Sequence, residues 1–251
     1  MNSSPAPGPL TDAAAWHDVE CSLYGADLAL WRSLADEHGG PVLDIGAGTG
    51  RVALDLAVQG HAVIAVDSEA DLIAACAERA AARGLDVTAI VGDARSLHLS
   101  DTYPLAILPM QVAQLMGSDA GRGEMLTAVL EHLRPGGVLA IALADPFEGV
   151  PAEEVLPPLP DVLEIDGWVL SSTPVAVRPV DGAVAIDRKR QAVSPGGQLT
   201  EEPATIVLDN VDPVVLERQG AHAGYRVLAQ KSVPATRDYV GSAVVMLERP
   251  R

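Results

Sequence analysis

One stretch constrains the fold of this chain more than any other: a short apolar strand that runs into three alternating glycines. Residues 42–50 read Val-Leu-Asp-Ile-Gly-Ala-Gly-Thr-Gly, with Asp44 two residues before the first glycine. Glycine has no Cβ, so the backbone of such a turn can lie directly against a ligand. The turn also directs the N–H groups of the following helix towards an anionic or polar group. We therefore expect a nucleotide-like ligand at the carboxyl end of this strand.

The alternation of strands and helices around this turn predicts a parallel sheet covered on both faces. Such sheets have near-continuous apolar strands, because both faces of each strand are buried. The predicted strands are residues 42–45, 61–66, 86–91, 105–108 and 138–143, and the predicted helices between them are 51–59, 69–83 and 123–133. A helical segment at 12–37 precedes this region, and a helix at 213–224 and a strand pair at 225–233 and 239–248 follow it.

The segment after residue 160 has a different pattern. Three stretches, 168–178, 183–193 and 198–209, alternate between apolar and other residues with a period of two. Asp181-Gly182 and Pro195-Gly-Gly197 separate them, and such groups are typical of hairpin turns. This pattern predicts an antiparallel β-meander that is inserted into a single α/β domain after a Pro-rich loop.

Charge and cysteine content narrow the classes of function. The chain has 34 acidic and 17 basic residues, and its net charge of −17 argues against a nucleic-acid-binding surface. Two cysteines, Cys21 and Cys76, favour a reducing compartment over a disulfide framework. No apolar run is long enough to cross a bilayer. We expect a cytoplasmic protein with no membrane partner and no bound metal.

Two classes of cofactor site use a glycine turn followed by an acid at the end of the next strand. Dinucleotide sites require Gly-x-Gly-x-x-Gly, whereas the glycines here stand at 46, 48 and 50 and Arg51 follows them. Asp67 ends the second predicted strand, where a carboxylate accepts hydrogen bonds from ribose hydroxyls in either class. The dinucleotide pattern is therefore not matched, although the acid fits both classes.

The chain resembles the class I S-adenosylmethionine-dependent methyltransferases. The resemblance rests on Asp44-x-Gly46-x-Gly48-x-Gly50, Asp67, Gly92-Asp93-Ala94 and the turn Leu133-Arg-Pro-Gly-Gly137. It covers about residues 24–143 and continues in the last helix and strand pair. It implies an α/β fold with a Rossmann-like, doubly wound, mixed seven-stranded sheet and an antiparallel β-meander inserted after strand five. It also implies S-adenosyl-L-methionine as the cofactor and S-adenosyl-L-homocysteine as the product.

Composition and the resemblance together predict how the chain is divided. Residues 1–10 are expected to be a disordered tail and residues 11–40 an N-terminal helical cap. Residues 41–150 and 212–251 would form the cofactor-binding domain, and residues 151–211 the inserted element. Two roles are open for this insertion: it roofs the substrate pocket, or it pairs with its copy in a homodimer, since long strands leave exposed edges.

The resemblance also implies which residues contact the cofactor. The glycine turn would pack on its amino-acid half, with Asp44 near the ammonium. Asp67 would hold the ribose hydroxyls, and Asp93 would accept a hydrogen bond from the adenine amino group. The full predicted set is Tyr24, Asp44, Gly46, Ala47, Gly48, Gly50, Arg51, Asp67, Ser68, Leu72, Gly92, Asp93, Ala94 and Pro109.

Several of these residues also suit a purely structural role. Asp44 fits a turn cap, Asp93 an Asx-turn and Tyr24 a core position. Arg51 fits a pair with the cofactor carboxylate, a pair with a neighbouring acid, or a solvated helix start. Because three acids fall at the carboxyl ends of successive strands, where open α/β sheets bind ligands, we favour the cofactor site.

In the family that the chain resembles, the segment after the fourth strand faces the methyl acceptor. Here it reads Pro109-Met-Gln-Val-Ala-Gln-Leu115 and lacks the Asn/Asp-Pro-Pro-Tyr pattern of enzymes that methylate amide or base nitrogens. Some members with a sheet inserted after strand five, a subgroup that includes glycine-type and amino-sugar N-methyltransferases, carry a His close to the position of Gln114. No general base is therefore assigned. The candidates for substrate contact are Gln111, Gln114 and Asp145, followed by His17, His98 and Glu148.

The sequence thus predicts transfer of a methyl group to oxygen or nitrogen of a small molecule, a biosynthetic intermediate. Three alternatives stay open at this point. One is an NAD-dependent oxidoreductase, and another is a non-catalytic protein that binds S-adenosylmethionine. The third is an enzyme that uses the same cofactor for chemistry other than methyl transfer.

Overall fold

The computed structural model describes residues 12–144 and 159–251. The predicted tail at 1–10, the first part of the predicted insertion, and the candidates Asp145 and Glu148 lie outside the described residues.

A central mixed sheet carries the fold. Five of its strands run parallel in the order β3-β2-β1-β4-β5, and β12 pairs antiparallel with β5. Two short strands, β10 and β11, both pair with the far edge of β12. The strands are β1 (Val42–Ile45), β2 (Val63–Asp67), β3 (Val87–Val91), β4 (Tyr103–Leu108), β5 (Leu133–Ala144), β10 (Arg226–Val227), β11 (Lys231–Val233) and β12 (Ser242–Glu248).

Helices bury both faces of this sheet, as the apolar strands require. One core contains side chains of α2, α3 and α4, and the other contains side chains of α5 and α6. The helices are α1 (Ala13–Cys21), α2 (Leu28–His38), α3 (Arg51–Val58), α4 (Ala70–Arg83), α5 (Asp119–Glu131) and α6 (Pro213–Ala223). The prediction of a doubly wound Rossmann-like sheet is confirmed.

The predicted strand at 225–233 is instead the two strands β10 and β11. The central sheet therefore has eight strands where seven were predicted. The predicted helical segment at 12–37 is likewise divided into α1 and α2. The turn between α1 and α2 carries Asp27, whose side chain is only 2% exposed and pairs with Arg51. A tertiary ion pair of this kind leaves no trace in helical periodicity.

The inserted meander is a separate sheet of four antiparallel strands, β6 (Asp161–Ile165), β7 (Trp168–Val180), β8 (Ala183–Val193) and β9 (Leu199–Asp209), in that order. The prediction contained only the last three. Asp166 and Gly167, which join β6 to β7, have φ values of 49° and 77°. Positive φ at both central residues is typical of the tight two-residue hairpin turn that Asp-Gly favours.

Helix α1 lies between the central sheet and the meander. Ala15, Trp16 and Val19 pack in one small core with Leu170 of β7 and Ala192 of β8. The meander therefore meets the central domain through an N-terminal helix, beside the carboxyl ends of the parallel strands.

Candidate cofactor and substrate site

A cavity of about 550 Å³ lies at the carboxyl ends of β1 to β4. Most of the predicted cofactor residues line it, and α1 and the meander contribute further walls. This is the edge at which open α/β sheets bind their ligands. The predicted residues in the lining are Asp44, Gly46, Ala47, Arg51, Asp67, Ser68, Leu72, Gly92, Asp93, Ala94, Pro109 and Gln111.

The glycine turn needs glycine for both conformation and packing. Gly46, Gly48 and Gly50 have φ values of 71°, 55° and 94°, which side-chain-bearing residues rarely adopt. A Cβ at Gly46 would overlap Val112, and a Cβ at Gly48 would overlap His17. Gly48 and Gly50 are absent from the cavity lining, so their contribution is to let neighbouring side chains approach the turn.

Asp44 has the most unusual surroundings in the site. The residue is 1% exposed, and neither carboxylate oxygen has a close hydrogen-bond partner among the residues that the structure describes. Burial raises the pKa of Asp44 to about 7, while the nearby Arg51 charge and a weaker interaction with the Ala53 backbone N–H oppose that rise. A buried carboxylate without a partner is costly, and a cationic ligand in the cavity would relieve that cost.

Arg51 pairs with a neighbouring acid. Its Nη1 and Nη2 donate to the two oxygens of Asp27 at 2.6 and 2.7 Å, and Nη1 also donates to the Tyr24 carbonyl at 2.8 Å. The Tyr24 ring packs against Tyr239, with ring centroids 5.1 Å apart, and Tyr24 does not line the cavity. In this structure Tyr24 and Arg51 thus join the turn before α2 to the start of α3.

Asp67 is held in place by backbone amides. Its Oδ2 accepts a hydrogen bond from the Gly48 N–H at 2.7 Å, and its Oδ1 accepts one from the Glu69 N–H at 2.9 Å. Each oxygen keeps capacity for a further donor, because a carboxylate oxygen has two lone pairs. The carboxylate therefore offers two oriented acceptors to a ligand with paired hydroxyl groups.

Asp93 forms the predicted Asx-turn. Its Oδ1 accepts a hydrogen bond from the Arg95 N–H at 2.9 Å, and the Arg95 guanidinium pairs with both oxygens. This pair with Arg95 lowers the pKa of Asp93. The side chain is 36% exposed at the rim of the cavity beside Ala94, so it remains available to a ligand.

Comparison with known proteins identifies the central part of the chain. Residues 42–137 match the family described as a methyltransferase domain, a range that runs from β1 into β5 and contains all three acids. This part of the chain is therefore similar to a methyltransferase domain. The match includes the glycine turn, and the α1 helix and the meander lie outside it.

Two curated relatives are similar to part of the chain. The Cypemycin N-terminal methyltransferase of a Streptomyces species is 31% identical over 125 residues, which is 49% of this chain and 50% of that protein. The Ubiquinone biosynthesis O-methyltransferase of Caulobacter vibrioides is 33% identical over 106 residues, or 42% of this chain and 41% of that protein. The chain thus spans half or less of the curated relatives it matches.

Solved structures resemble the chain over nearly all of its length. A sugar N-methyltransferase from a Streptoalloteichus species has a TM-score of 0.76 at 16% identity, covering 100% of this chain and 98% of that chain. DesVI from Streptomyces venezuelae has a TM-score of 0.72 at 18% identity, covering 96% of this chain and 97% of that chain. At these identities the likeness shows the class I methyltransferase fold, and it extends over α1 and the meander.

The structure gives Gln114 a structural role, which corrects its prediction as a substrate contact. Gln114 is 3% exposed and does not line the cavity. Its Oε1 accepts a hydrogen bond from the Ala144 N–H at 3.0 Å, and its Nε2 donates to the carbonyls of Ala144 at 3.0 Å and Asp209 at 3.3 Å. The amide is thus bound to the backbone at both roots of the meander, which are Ala144 at the end of β5 and Asp209 at the end of β9.

Several residues that line the cavity are outside the predicted cofactor set. They come from α1, from the segment after β4 and from the meander. Their positions depend on how these parts pack together, and no local motif marks them. They include Trp16, His17, Glu20, Met110, Leu115, Met116, Arg190, Ile206 and Leu208.

The structure also bears on His98, on metal binding and on membrane-spanning helices. His98 is exposed and does not line the cavity. Within residues 12–144 and 159–251, no group of three or more His, Cys, Asp or Glu side chains is arranged to hold a metal ion. Over the same residues, no helix is long and apolar enough to cross a membrane.

Proposed function

We propose that this protein is an S-adenosylmethionine-dependent methyltransferase that moves a methyl group to oxygen or nitrogen of a small molecule. The observation that carries this proposal is the Asp44 carboxylate, which is buried in the cavity wall and has no close hydrogen-bond partner among the described residues. A ligand that places an ammonium group at this point would give the buried Asp44 carboxylate an ion-pair partner. S-adenosyl-L-homocysteine would be the product.

The cavity residues fit the parts of this cofactor in order. Asp44 is suited to the ammonium, and the exposed backbone of Gly46 and Ala47 to the amino-acid chain. Asp67 presents two oriented oxygens to the ribose diol, and Asp93 presents a carboxylate to the adenine amino group. The curated relatives named as methyltransferases support the same assignment.

When bound, the cofactor supplies a methyl group that a sulfonium has already activated. The protein then has to align the acceptor and exclude water. Apolar side chains on two sides of the cavity serve the second task, and Gln111 offers an amide that can orient an acceptor. We assign no general base from the cavity geometry. The apolar walls are Met110, Val112, Leu115, Met116, Ile206 and Leu208.

The acceptor is proposed to be a small molecule because the cavity is walled by α1 and by residues of the meander. In this proposal residues 11–40 cap the cofactor domain (41–150 and 212–251), and the insertion at 151–211 selects the substrate and pairs subunits in a homodimer. The net charge of −17 supports the absence of a nucleic-acid partner. The two free thiols, Cys21 and Cys76, suit a cytoplasmic location.

Ligand titrations followed by thermal unfolding test the cofactor. S-adenosylmethionine and S-adenosylhomocysteine should raise the Tm of the protein, and NAD should leave it unchanged, because a ligand stabilises only the state that binds it. The variant Asp67→Ala should lose most of this stabilisation. Stabilisation by NAD alone would refute the assignment.

Release of S-adenosylhomocysteine should then be measured with a panel of small amines and hydroxyl compounds. We expect turnover with at least one of them. A protein that binds the cofactor but stays inactive with every acceptor in a broad panel would instead be a non-catalytic binder.

A further inference from the structure

A chain of three side chains links α1 to the glycine turn. Thr49 is buried, and its Oγ1 lies 2.7 Å from Asp18 Oδ1 and 3.2 Å from His17 Nδ1. Asp18 also pairs with the guanidinium of Arg79, which donates from Nη1 at 3.0 Å and from Nη2. Asp18 is therefore held as a carboxylate and acts only as an acceptor.

This arrangement fixes the tautomer of His17. The Thr49 hydroxyl has one proton, and the short contact with Asp18 requires it there, since two oxygens 2.7 Å apart need a proton between them. Thr49 Oγ1 must then accept from His17, so Nδ1 carries the ring proton. The Nε2 atom of a neutral His17 then has a lone pair that no hydrogen bond from the described residues uses.

The Nε2 atom lies against the glycine turn. It occupies the space that a Cβ of Gly48 would need, and the Gly48 N–H donates to Asp67 Oδ2 at 2.7 Å. His17 and Asp67 therefore flank the same glycine, and both line the cavity. A ligand group in this part of the cavity would meet an imidazole acceptor on one side and a carboxylate on the other.

The surroundings keep the imidazole neutral. Burial lowers the pKa of His17, and the charge of Arg51 at the start of α3 acts in the same direction. The opposing charges are Asp18 and Glu20 on its own helix and Asp67 at the end of β2. Arg79 of α4 pairs with Asp18 and so offsets the nearest of them.

We propose that His17 Nε2 accepts a hydrogen bond from an N–H or O–H donor of the bound cofactor, so that α1 forms part of the cofactor site. This proposal rests on the function proposed above. Two donors of the cofactor have the required chemistry, a ribose hydroxyl and the ammonium group. Protonation of His17 would convert the acceptor into a donor and remove the interaction.

A matched pair of variants isolates the Nε2 atom. His17→Asn places an amide N–H where Nδ1 stands and removes Nε2, whereas His17→Gln places an amide oxygen near the Nε2 position. At pH 8 we expect His17→Asn to bind S-adenosylhomocysteine about tenfold more weakly than wild type, the loss typical of one hydrogen bond, and His17→Gln to recover part of that loss. The Tm of each free variant shows whether it is folded.

The pH dependence separates a hydrogen bond from a packing role. The affinity ratio between wild type and His17→Asn should stay near ten while the His17 ring is neutral and fall towards one once the ring is protonated, at a pH that burial places below the usual value for histidine. A ratio that does not change when the ring titrates would overturn the proposal. Long-range ¹⁵N–¹H correlation spectra of the free protein should also show the His17 proton on Nδ1, and a proton on Nε2 would contradict it.

The source of the donor is decided with 5′-methylthioadenosine, which keeps the ribose and lacks the amino-acid group. An affinity ratio that persists with this ligand assigns the donor to ribose, and a ratio near one assigns it to the ammonium. If wild type binds neither S-adenosylhomocysteine nor 5′-methylthioadenosine, the proposed function fails. If wild type binds S-adenosylhomocysteine and both variants bind it equally well, only the role of His17 fails.

Discussion

At the scale of single residues, Asp44 shows how a binding site opposes stability. Its pKa is about 7 in the folded protein and about 4 in an unfolded chain. As pH rises between these values, the unfolded chain releases this proton before the folded protein does, so the free energy of unfolding falls. This difference corresponds to about 4 kcal/mol at most above pH 7.

We therefore expect Asp44→Asn to raise the Tm of the free protein at pH 8, where wild type carries the buried charge. The gain should disappear near pH 4, where Asp44 is protonated in both states. The same variant should bind S-adenosylhomocysteine roughly 10- to 100-fold more weakly, because it lacks a charged partner for the ammonium. Calorimetric unfolding and titration calorimetry measure the two effects.

Asp93→Asn is the matched control for this prediction. Asp93 is paired with Arg95, and its pKa is lowered, so its charge stabilises the folded protein. Its substitution should give no gain in Tm at pH 8. A higher Tm for Asp93→Asn, or an unchanged Tm for Asp44→Asn, would contradict the electrostatic argument.

The sequence predicted the three acids of the site because each lies at or just beyond the carboxyl end of a strand that apolar residues define. Asp44, Asp67 and Asp93 therefore fall at one edge of the sheet once the strand order is known. The environment of His17 was not predictable in this way. Its partner Thr49 is 32 residues away, and no spacing within α1 encodes that contact.

At the scale of elements, Gln114 and Arg122 hold the two roots of the meander. Gln114 binds the backbone of Ala144, at the end of β5, and of Asp209, at the end of β9. Arg122 of α5 pairs with the Asp209 carboxylate and is almost fully buried. The segment that carries Gln114 also forms a cavity wall, so the same bonds position the meander over the cavity.

Gln114→Leu should destabilise the protein by about 2 kcal/mol, because it leaves buried backbone groups of Ala144 without partners. Hydrogen exchange followed by mass spectrometry should show faster exchange at the ends of β5 and β9 than in wild type. Exchange in β1 to β3 should change little. Uniformly faster exchange in every strand would show that Gln114 supports the whole fold and has no special role at the roots.

Gln111→Leu provides the control for Gln114, three residues earlier in the same segment. Gln111 lines the cavity, and its side chain is not bonded to the roots of the meander. The Tm of this variant should stay close to that of wild type. If turnover is established, its effect should appear in KM or kcat instead.

Prediction of the elements failed where tertiary contacts replaced local patterns. The break between α1 and α2 follows from the buried pair of Asp27 with Arg51, and the division into β10 and β11 follows from pairing along one edge of β12. Strand β6 was missed although Asp166-Gly167 is a strong hairpin signal. Its five residues, Asp161-Val-Leu-Glu-Ile165, do not alternate between polar and apolar side chains, although their burial does alternate.

At the scale of the whole molecule, α1 couples the central domain to the meander. On one side Asp18 pairs with Arg79 of α4. On the other side Glu20, whose side chain is 8% exposed, accepts hydrogen bonds from Arg190 at 2.9 and 3.2 Å and from Ser172 at 2.8 Å. The helix that carries His17 is thus fixed from both sides.

Glu20 and Asp161 form a cluster with Arg188 and Arg190, in which two carboxylates face two guanidinium groups. Arg188 Nε lies 3.6 Å from Glu20 Oε1, and the Arg188 guanidinium also pairs with Asp161. Removal of one partner from a buried ion pair typically costs about 3 kcal/mol or more, since the remaining charge stays buried. Exposed pairs cost far less, with a median below about 1 kcal/mol.

We expect Glu20→Gln to loosen α1 and the meander together. Hydrogen exchange should become faster in α1, β7 and β8 at once, and affinity for S-adenosylhomocysteine should fall, because His17 is on the same helix. Glu201→Gln is the matched control: Glu201 faces Lys189 across the same sheet with about half of each side chain exposed, so neither exchange in α1 nor affinity should change. Faster exchange in the meander with α1 and affinity unaffected would show that the two sheets move independently, and α1 would then not be the coupling element.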